Sequence, residues 1–176
     1  MNPSLWLRPT TDDDLDYVLA AESDPANLPY IMQWTRDEHR QAIADPNLGH
    51  FVIAWSDLEA APSHREKRVG YLILTGLQDS NQSIQLRRIV VTEKGKGIGR
   101  WAIAQVKSLA FDTYGAHRLW LDVKPFNQRA QTLYRTSGFV EEGTLRDCYK
   151  SPNGDYGSLI IMSVLRPEYA ASSSSP

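Results

Sequence analysis

Val90-Val91-Thr92-Glu93-Lys94-Gly95-Lys96-Gly97-Ile98-Gly99-Arg100 joins an apolar, strand-like run to an amphipathic, helix-like one. Three glycines stand at every second position, flanked by Lys94, Lys96 and Arg100. Glycine lets a backbone come close to a ligand, and the first N–H groups of a helix have no internal partner. Such a junction is suited to an anion such as a phosphate. Outward from it, Ser83 to Val91 alternates as a strand. Helical spacing of Ile98, Ala102, Val106, Leu109, Ala110 and Thr113 predicts a helix from about Gly97 to Tyr114, stopped by Gly115. His117 to Val123 is the next strand, so the unit from 84 to 123 has the form of a parallel strand–helix–strand crossover.

The N-terminal part has a different order. Leu5 to Pro9 is a short strand, and Leu15, Val18 and Leu19 mark a helix ending near Ser23 before Asp24-Pro25. Thr35 and Glu38 form a capping box for a second helix to about Ala44. His50–Trp55, Val69–Leu74 and Ser83–Val91 follow as three strands, which suggests an antiparallel meander. Ser56 to Arg68 is expected to be a polar hairpin loop. After the crossover, Asn127 caps a fourth helix ending at Gly138. Phe139–Glu141 is a strand or a strand edge, and Tyr156 to Leu165 is a final strand. The expected fold is α/β, with a twisted mixed sheet of about seven strands and four helices. One domain is expected over residues 1–169, and 170–176 form a small, polar tail expected to be disordered.

Composition narrows the function. The 19 Lys and Arg against 21 Asp and Glu leave a formal charge of -2, which lacks the basic footprint of a nucleic-acid binder. The basic residues around the glycines are therefore local, as for one anionic ligand. Cys148 is the only cysteine, so no intrachain disulfide can form. The four histidines (39, 50, 64 and 117) are scattered, so no metal site is expected. No stretch approaches the ~18 apolar residues of a membrane span, and the cytoplasm is the expected location.

Two phosphate-binding patterns fail on the loop. A nucleotide triphosphate loop needs Gly-Lys-Ser or Gly-Lys-Thr, whereas Gly95-Lys96 leads to Gly97. Gly97-x-Gly99-x-x-Ala102, with Asp122 at the end of a later strand, does satisfy the dinucleotide pattern. In that fold, however, the first glycine follows its strand almost directly, whereas Thr92 to Lys96 intervene here. Those residues carry two lysines that a dinucleotide turn does not use.

A second segment resolves the choice. Asn127-Gln128-Arg129-Ala130-Gln131-Thr132-Leu133-Tyr134-Arg135-Thr136-Ser137-Gly138-Phe139 is similar to the N-x-x-A-x-x-L-Y-x-x-x-G-F segment of the GCN5-related N-acetyltransferases (GNAT). Lys94 to Gly99 resembles the diphosphate loop of the same family, with Lys94 where Arg or Gln is usual. The resemblance covers residues 5–166 and looks closest to the branch that acetylates ribosomal-protein N-terminal alanines, through 89–93 and 118–123.

That resemblance implies an acetyl-CoA co-substrate, no metal, and acetyl transfer to a primary amine on a small molecule or a peptide N-terminus. It implies that the backbone of Ile89, Val90 and Val91 pairs with the pantetheine arm. It places the diphosphate on Lys94, Gly95, Lys96, Gly97, Ile98, Gly99 and Arg100, and brings Asn127 to the arm as well as to the helix cap. Tyr134 is the implied general acid, also touching the cofactor. The general base is not legible: Gln85 and Ser158 stand where relatives often carry carboxylates, Glu141 and Glu142 read as a solvated strand edge, and either water alone suffices or the base lies in the 24–36 region. A non-catalytic acyl-CoA-binding module on the same fold is the alternative that those missing carboxylates motivate. A homodimer is common among relatives; nucleic acid and membrane are not expected as partners. Tyr30, Met32 and Trp34 either shape the acceptor pocket or belong to the core.

Overall fold

The computed structural model describes residues 4–56 and 66–173. Strands β1 (Leu5–Pro9), β2 (Leu48–Ser56), β3 (Glu66–Thr75), β4 (Ser83–Val91), β5 (Arg118–Val123), β6 (Val140–Lys150) and β7 (Tyr156–Leu165) form one sheet. Its order is β1-β2-β3-β4-β5-β7-β6. The sheet is mixed: β1 with β2, β2 with β3, β5 with β7 and β6 with β7 are antiparallel, while β4 and β5 are parallel. The expected mixed α/β sheet of seven strands is present. Among the described residues the α-helices number five rather than four: α1 (Leu15–Ser23), α2 (Arg36–Ala44), α3 (Ile98–Ser108), α4 (Gln128–Thr136) and α5 (Arg166–Ser173). Among the described residues no helix is long and apolar enough to cross a membrane.

The chain divides into two compact units, Met1–Thr75 with Arg88–Ile98 and Gly76–Arg87 with Gly99–Pro176. In the first, Val18 and Ala21 of α1, Tyr71 and Ile73 of β3 and Val90 of β4 form a buried cluster, with Trp34 and Ile31 packed on it. Thr35 caps α2: its hydroxyl accepts from the Glu38 N–H, and the Glu38 carboxylate accepts from the Thr35 N–H at 2.6 Å. Gly70 of β3 is required sterically. A Cβ there would lie 2.4 Å from the Val90 carbonyl oxygen, closer than atoms approach without rearrangement.

In the second unit, the apolar stripe expected of α3 is buried at Ile98, Ala102, Val106 and Ala110, but Thr113 is exposed. The reason is a π-helical turn over Leu109–Thr113, in which the Tyr114 N–H donates to the Leu109 carbonyl. One added residue per turn rotates the face by that point. Two elements exceed what periodicity showed. β6 extends to Lys150 rather than ending near Glu141; it is an exposed edge strand with register breaks after Glu141 and Leu145, so it lacks apolar alternation. α5 occupies Ala170–Ser173 of the expected tail; residues 174–176, like 57–65 of the expected hairpin loop, lie outside the described residues. It is tied down by Arg166, which donates to the Phe111 and Ala116 carbonyls, and by Tyr169, which stacks on Phe111 and donates to Asp112.

Gly70→Ala is expected to lower stability by about 1–3 kcal/mol, the usual range for overpacking. Urea denaturation, with the midpoint shifted and the slope unchanged, checks it.

Candidate active site

The glycine loop follows β4 directly. Gly95 and Gly97 have φ of 84° and 76°, in the left-handed region that side chains rarely adopt, and the space beside both is open. These two glycines therefore serve conformation, and the emptiness beside them leaves room for a ligand against the backbone. Gly99 serves packing: a Cβ would come within 3.3 Å of the Leu133 side chain of α4. The N–H groups at the start of α3 add the donors an anion needs.

The loop lysines are engaged locally. Lys94 Nζ donates to the Ala26 carbonyl at 2.9 Å. Lys96 Nζ bonds Glu93 at 2.8 Å and lies over the Trp55 ring. Lys67 holds the other oxygen of Glu93, and these two hydrogen bonds hold its carboxyl down to about 2.

β4 alternates strictly in burial from Ile84 to Val90. Ile84, Leu86, Arg88 and Val90 are buried, while Gln85, Arg87, Ile89 and Val91 are not. Gln85 pairs in register with Trp120, which places it on the same face of the parallel pair as Asp122. Gln85 Nε2 donates to Asp122 Oδ1 at 2.9 Å. Burial raises the Asp122 carboxyl above the ordinary carboxylate range, against the lowering effects of the Gln85 hydrogen bond and the Arg87 charge.

Tyr134 is buried on α4, its ring 5.8 Å from that of Phe139. Burial, and after it the negative charge of Asp122, push its phenol well above the usual value. It stays neutral and keeps a proton to give. Asn127 caps α4 with its side-chain oxygen, which accepts from the Ala130 N–H at 3.2 Å. Gln131, buried beside Tyr134, donates to the Pro125 carbonyl at 2.7 Å and fixes the loop before the helix.

An acid does stand beside Gln85, on the adjacent strand. In sequence Asp122 reads only as part of the dinucleotide pattern; its parity with Trp120, opposite the buried Leu119 and Leu121, is the signal that places it beside Gln85. The other suggested acids have local partners. Glu141 pairs with Arg135 at 2.9 Å; Glu142 pairs with Arg118 and accepts from Ser163. Ser158 accepts from the Asp147 N–H.

The histidines are not all scattered. His39 and His50 are both buried, with ring nitrogens 3.0 Å apart. No metal-ligand cluster occurs among the described residues. The aromatic segment divides as well: Trp34 packs on the first unit's core, whereas Tyr30 and Met32 are exposed.

The acetyltransferase (GNAT) domain model matches residues 4–140. The chain belongs to this family. It is 31% identical over 140 residues to an uncharacterised N-acetyltransferase of Mycobacterium bovis, covering 76% of this chain and 86% of that one. It is 30% identical over 102 residues to the spermidine N(1)-acetyltransferase of Vibrio cholerae, covering 57% and 58%. The solved structure of that bacterium's spermidine N-acetyltransferase in complex with CoA and spermine shares the fold, with a TM-score of 0.79 at 24% identity. It covers 94% of this chain and 98% of that one. This GNAT protein is an N-acetyltransferase with acetyl-CoA as co-substrate.

Gly97→Ala forces a side chain into a left-handed conformation and fills the space beside the loop. Stability should fall by about 1 kcal/mol, and the coenzyme A-induced rise in Tm should shrink sharply. Differential scanning fluorimetry with and without coenzyme A measures both.

Proposed function

We propose that the protein acetylates a primary amine by direct attack on acetyl-CoA, with Tyr134 as general acid and Asp122 as general base. The observation that carries this reading is the half-buried Asp122, held by Gln85 and close enough for its charge to act on the Tyr134 phenol. The donor arm would run along the backbone of Ile89–Val91, with its diphosphate on residues 94–100 and Asn127 at the arm.

The steps balance. The amine nitrogen adds to the thioester carbonyl, and a backbone N–H of β4 would stabilise the oxyanion. The nitrogen of that adduct is cationic and more acidic than a free ammonium, so a carboxylate with a raised pKa suffices to accept its proton, directly or through water. The C–S bond then breaks, and the Tyr134 hydroxyl protonates the departing thiolate. The products are the amide and free coenzyme A.

We propose an α-amino group, as at a peptide N-terminus, for the acceptor. At pH 7 roughly one α-amine in ten is free base, against on the order of one in two thousand alkylammonium groups. A carboxylate base favours the former. Residues 25–34 contain no Asp or Glu, and Arg88 and Lys94 both bond to this segment, a poor setting for a polycation. A polyamine acceptor is the second reading, supported by the similarity to the spermidine N(1)-acetyltransferase of Vibrio cholerae.

Tyr134→Phe and Asp122→Asn should each lower kcat by about 10²-fold or more with coenzyme A affinity unchanged. In the unmodified protein, kcat/KM should fall as pH drops through the raised Asp122 pKa, and Asp122→Asn should lose that acidic limb. The assay measures coenzyme A release with Ala-, Ser- and Met-initiated hexapeptides, spermidine and 2-phenylethylamine. Unchanged turnover in either variant removes that residue from the mechanism; preference for spermidine replaces the α-amine assignment.

A further inference from the structure

The first unit contains a buried polar chain that the acetyl-transfer chemistry does not use. Glu22 of α1 is at its centre, with its side chain almost wholly enclosed. One carboxylate oxygen accepts from the Tyr71 hydroxyl at 2.5 Å and from Arg88 of β4. The other accepts from the Trp34 N–H at 2.9 Å. His39 Nε2 is 3.2 Å from the carboxylate, at an angle short of a hydrogen bond. Behind His39 come His50 and then Thr10, linked at 3.0 and 2.8 Å. Burial, with the nearby His39 and Arg88 charges, pushes His50 down to about 4, so it is neutral at pH 7. Burial alone would raise Glu22. The His39 contact, the Arg88 charge and the hydrogen bonds from Tyr71 and Trp34 outweigh that and hold it ionised.

The chain ends on an irregular segment. Besides Glu22, Arg88 Nη2 donates to the Met32 carbonyl at 2.5 Å, and its guanidinium lies over the Trp34 ring, 4.5 Å from its centroid. Two opposite charges therefore grip one tripeptide by a C=O, an N–H and a ring. Further along, Asn27 donates to the Ala21 carbonyl and Lys94 to the Ala26 carbonyl. The segment is thus moored to residues 88 and 94, on either side of Ile89–Val91. Between the moorings it exposes Leu28, Tyr30 and Met32, the last with 63% of its surface free.

A buried ion pair is a weak source of stability, because desolvating both charges offsets their attraction; apolar residues of similar size often do as well. What such a pair uniquely supplies is fixed geometry. The guanidinium fork serves an acceptor on each side, which Lys cannot reproduce.

We propose that Glu22 and Arg88 are positioning residues that hold the Leu28–Met32 surface where the acceptor amine binds. They act on acceptor recognition and leave donor recognition alone. This rests on the assignment of residues 89–100 to the donor.

The test separates positioning from folding. In Glu22→Leu/Arg88→Met the ion pair becomes an apolar pair. It should still fold, with a Tm lowered because the Tyr71 hydroxyl and the Trp34 N–H lose their acceptor, and bind coenzyme A within about twofold. Its KM should rise about tenfold or more for whichever of the Ala-initiated hexapeptide and spermidine the unmodified protein acetylates faster, with a smaller change in kcat. Arg88→Lys retains the charge and loses the fork, and should show the same split more weakly. Met32→Ala, on the exposed surface, should raise the same KM without touching the buried pair. Acceptor KM within twofold of the original in a folded Arg88→Lys or double variant overturns the proposal. So does coenzyme A affinity that falls together with acceptor affinity. No transfer by the unmodified protein, with coenzyme A still bound, instead overturns the proposed mechanism, and this inference with it.

Discussion

The period-two geometry of one strand governs the rest of this structure. Successive residues of β4 point to opposite faces, so each side chain from Ile84 to Val91 has its environment set by parity. On one face, Arg88 and Val90 enter the first unit, where Val90 joins the core and Arg88 meets Glu22. On the other, Gln85 meets Asp122. Ile89 and Val91 share the parity of Gln85 and supply the backbone assigned to the donor. A shift by one residue would exchange these environments, leaving Arg88 away from its carboxylate and Gln85 in the core. Gly70 reinforces the register, because its missing side chain lets β3 come against the Val90 carbonyl.

The elements most legible in the sequence are those whose determinants are contiguous. The Thr35/Glu38 box marks α2, and the structure places its start there. Strand β4 runs over Ser83–Val91, as its alternation indicates. Gly95 and Gly97, read in sequence as letting the backbone approach a ligand, adopt left-handed conformations with open space beside them. The elements less legible depend on partners far along the chain. β6 has no apolar alternation because it lies at an exposed edge, and pairing with β7 holds it. α5 begins with Arg166-Pro167 and continues into a run of alanines and serines, a weak signal without the distant Phe111 and Asp112 that anchor it.

The site followed the same division. Spacing along the chain gives no strand order, so it shows Gln85 and not the acid beside it. Once β4 and β5 pair in parallel, a glutamine on one strand meets an aspartate on the next. The amide donates to the carboxylate, and burial raises the carboxyl above its ordinary range; in the proposed mechanism the two share the work of one glutamate. The histidines illustrate the same point: residues 39 and 50 looked unrelated in sequence, and α2 and β2 bring their rings into contact.

Donor and acceptor recognition therefore differ in how they are encoded. A diphosphate can be met by main-chain N–H groups, so its binding is written as a short run of glycines that fix the backbone, readable wherever the run occurs. An amine acceptor has to be met by side chains at set positions. In the proposed acceptor surface those positions rest on contacts such as Glu22 with Arg88, separated by 66 residues. Nothing in a local window records that separation. The conformation of the glycine loop is set by its own glycines, although Lys94 and Lys96 reach Ala26 and Trp55 elsewhere in the chain. The Met32–Trp34 segment depends on α1, β3, α2 and β4 together through Glu22, Tyr71, His39 and Arg88. Altering its exposed side chains leaves that support intact. If the proposed acceptor surface holds, changes at the exposed Leu28, Tyr30 and Met32 alter acceptor preference while the buried support stays in place.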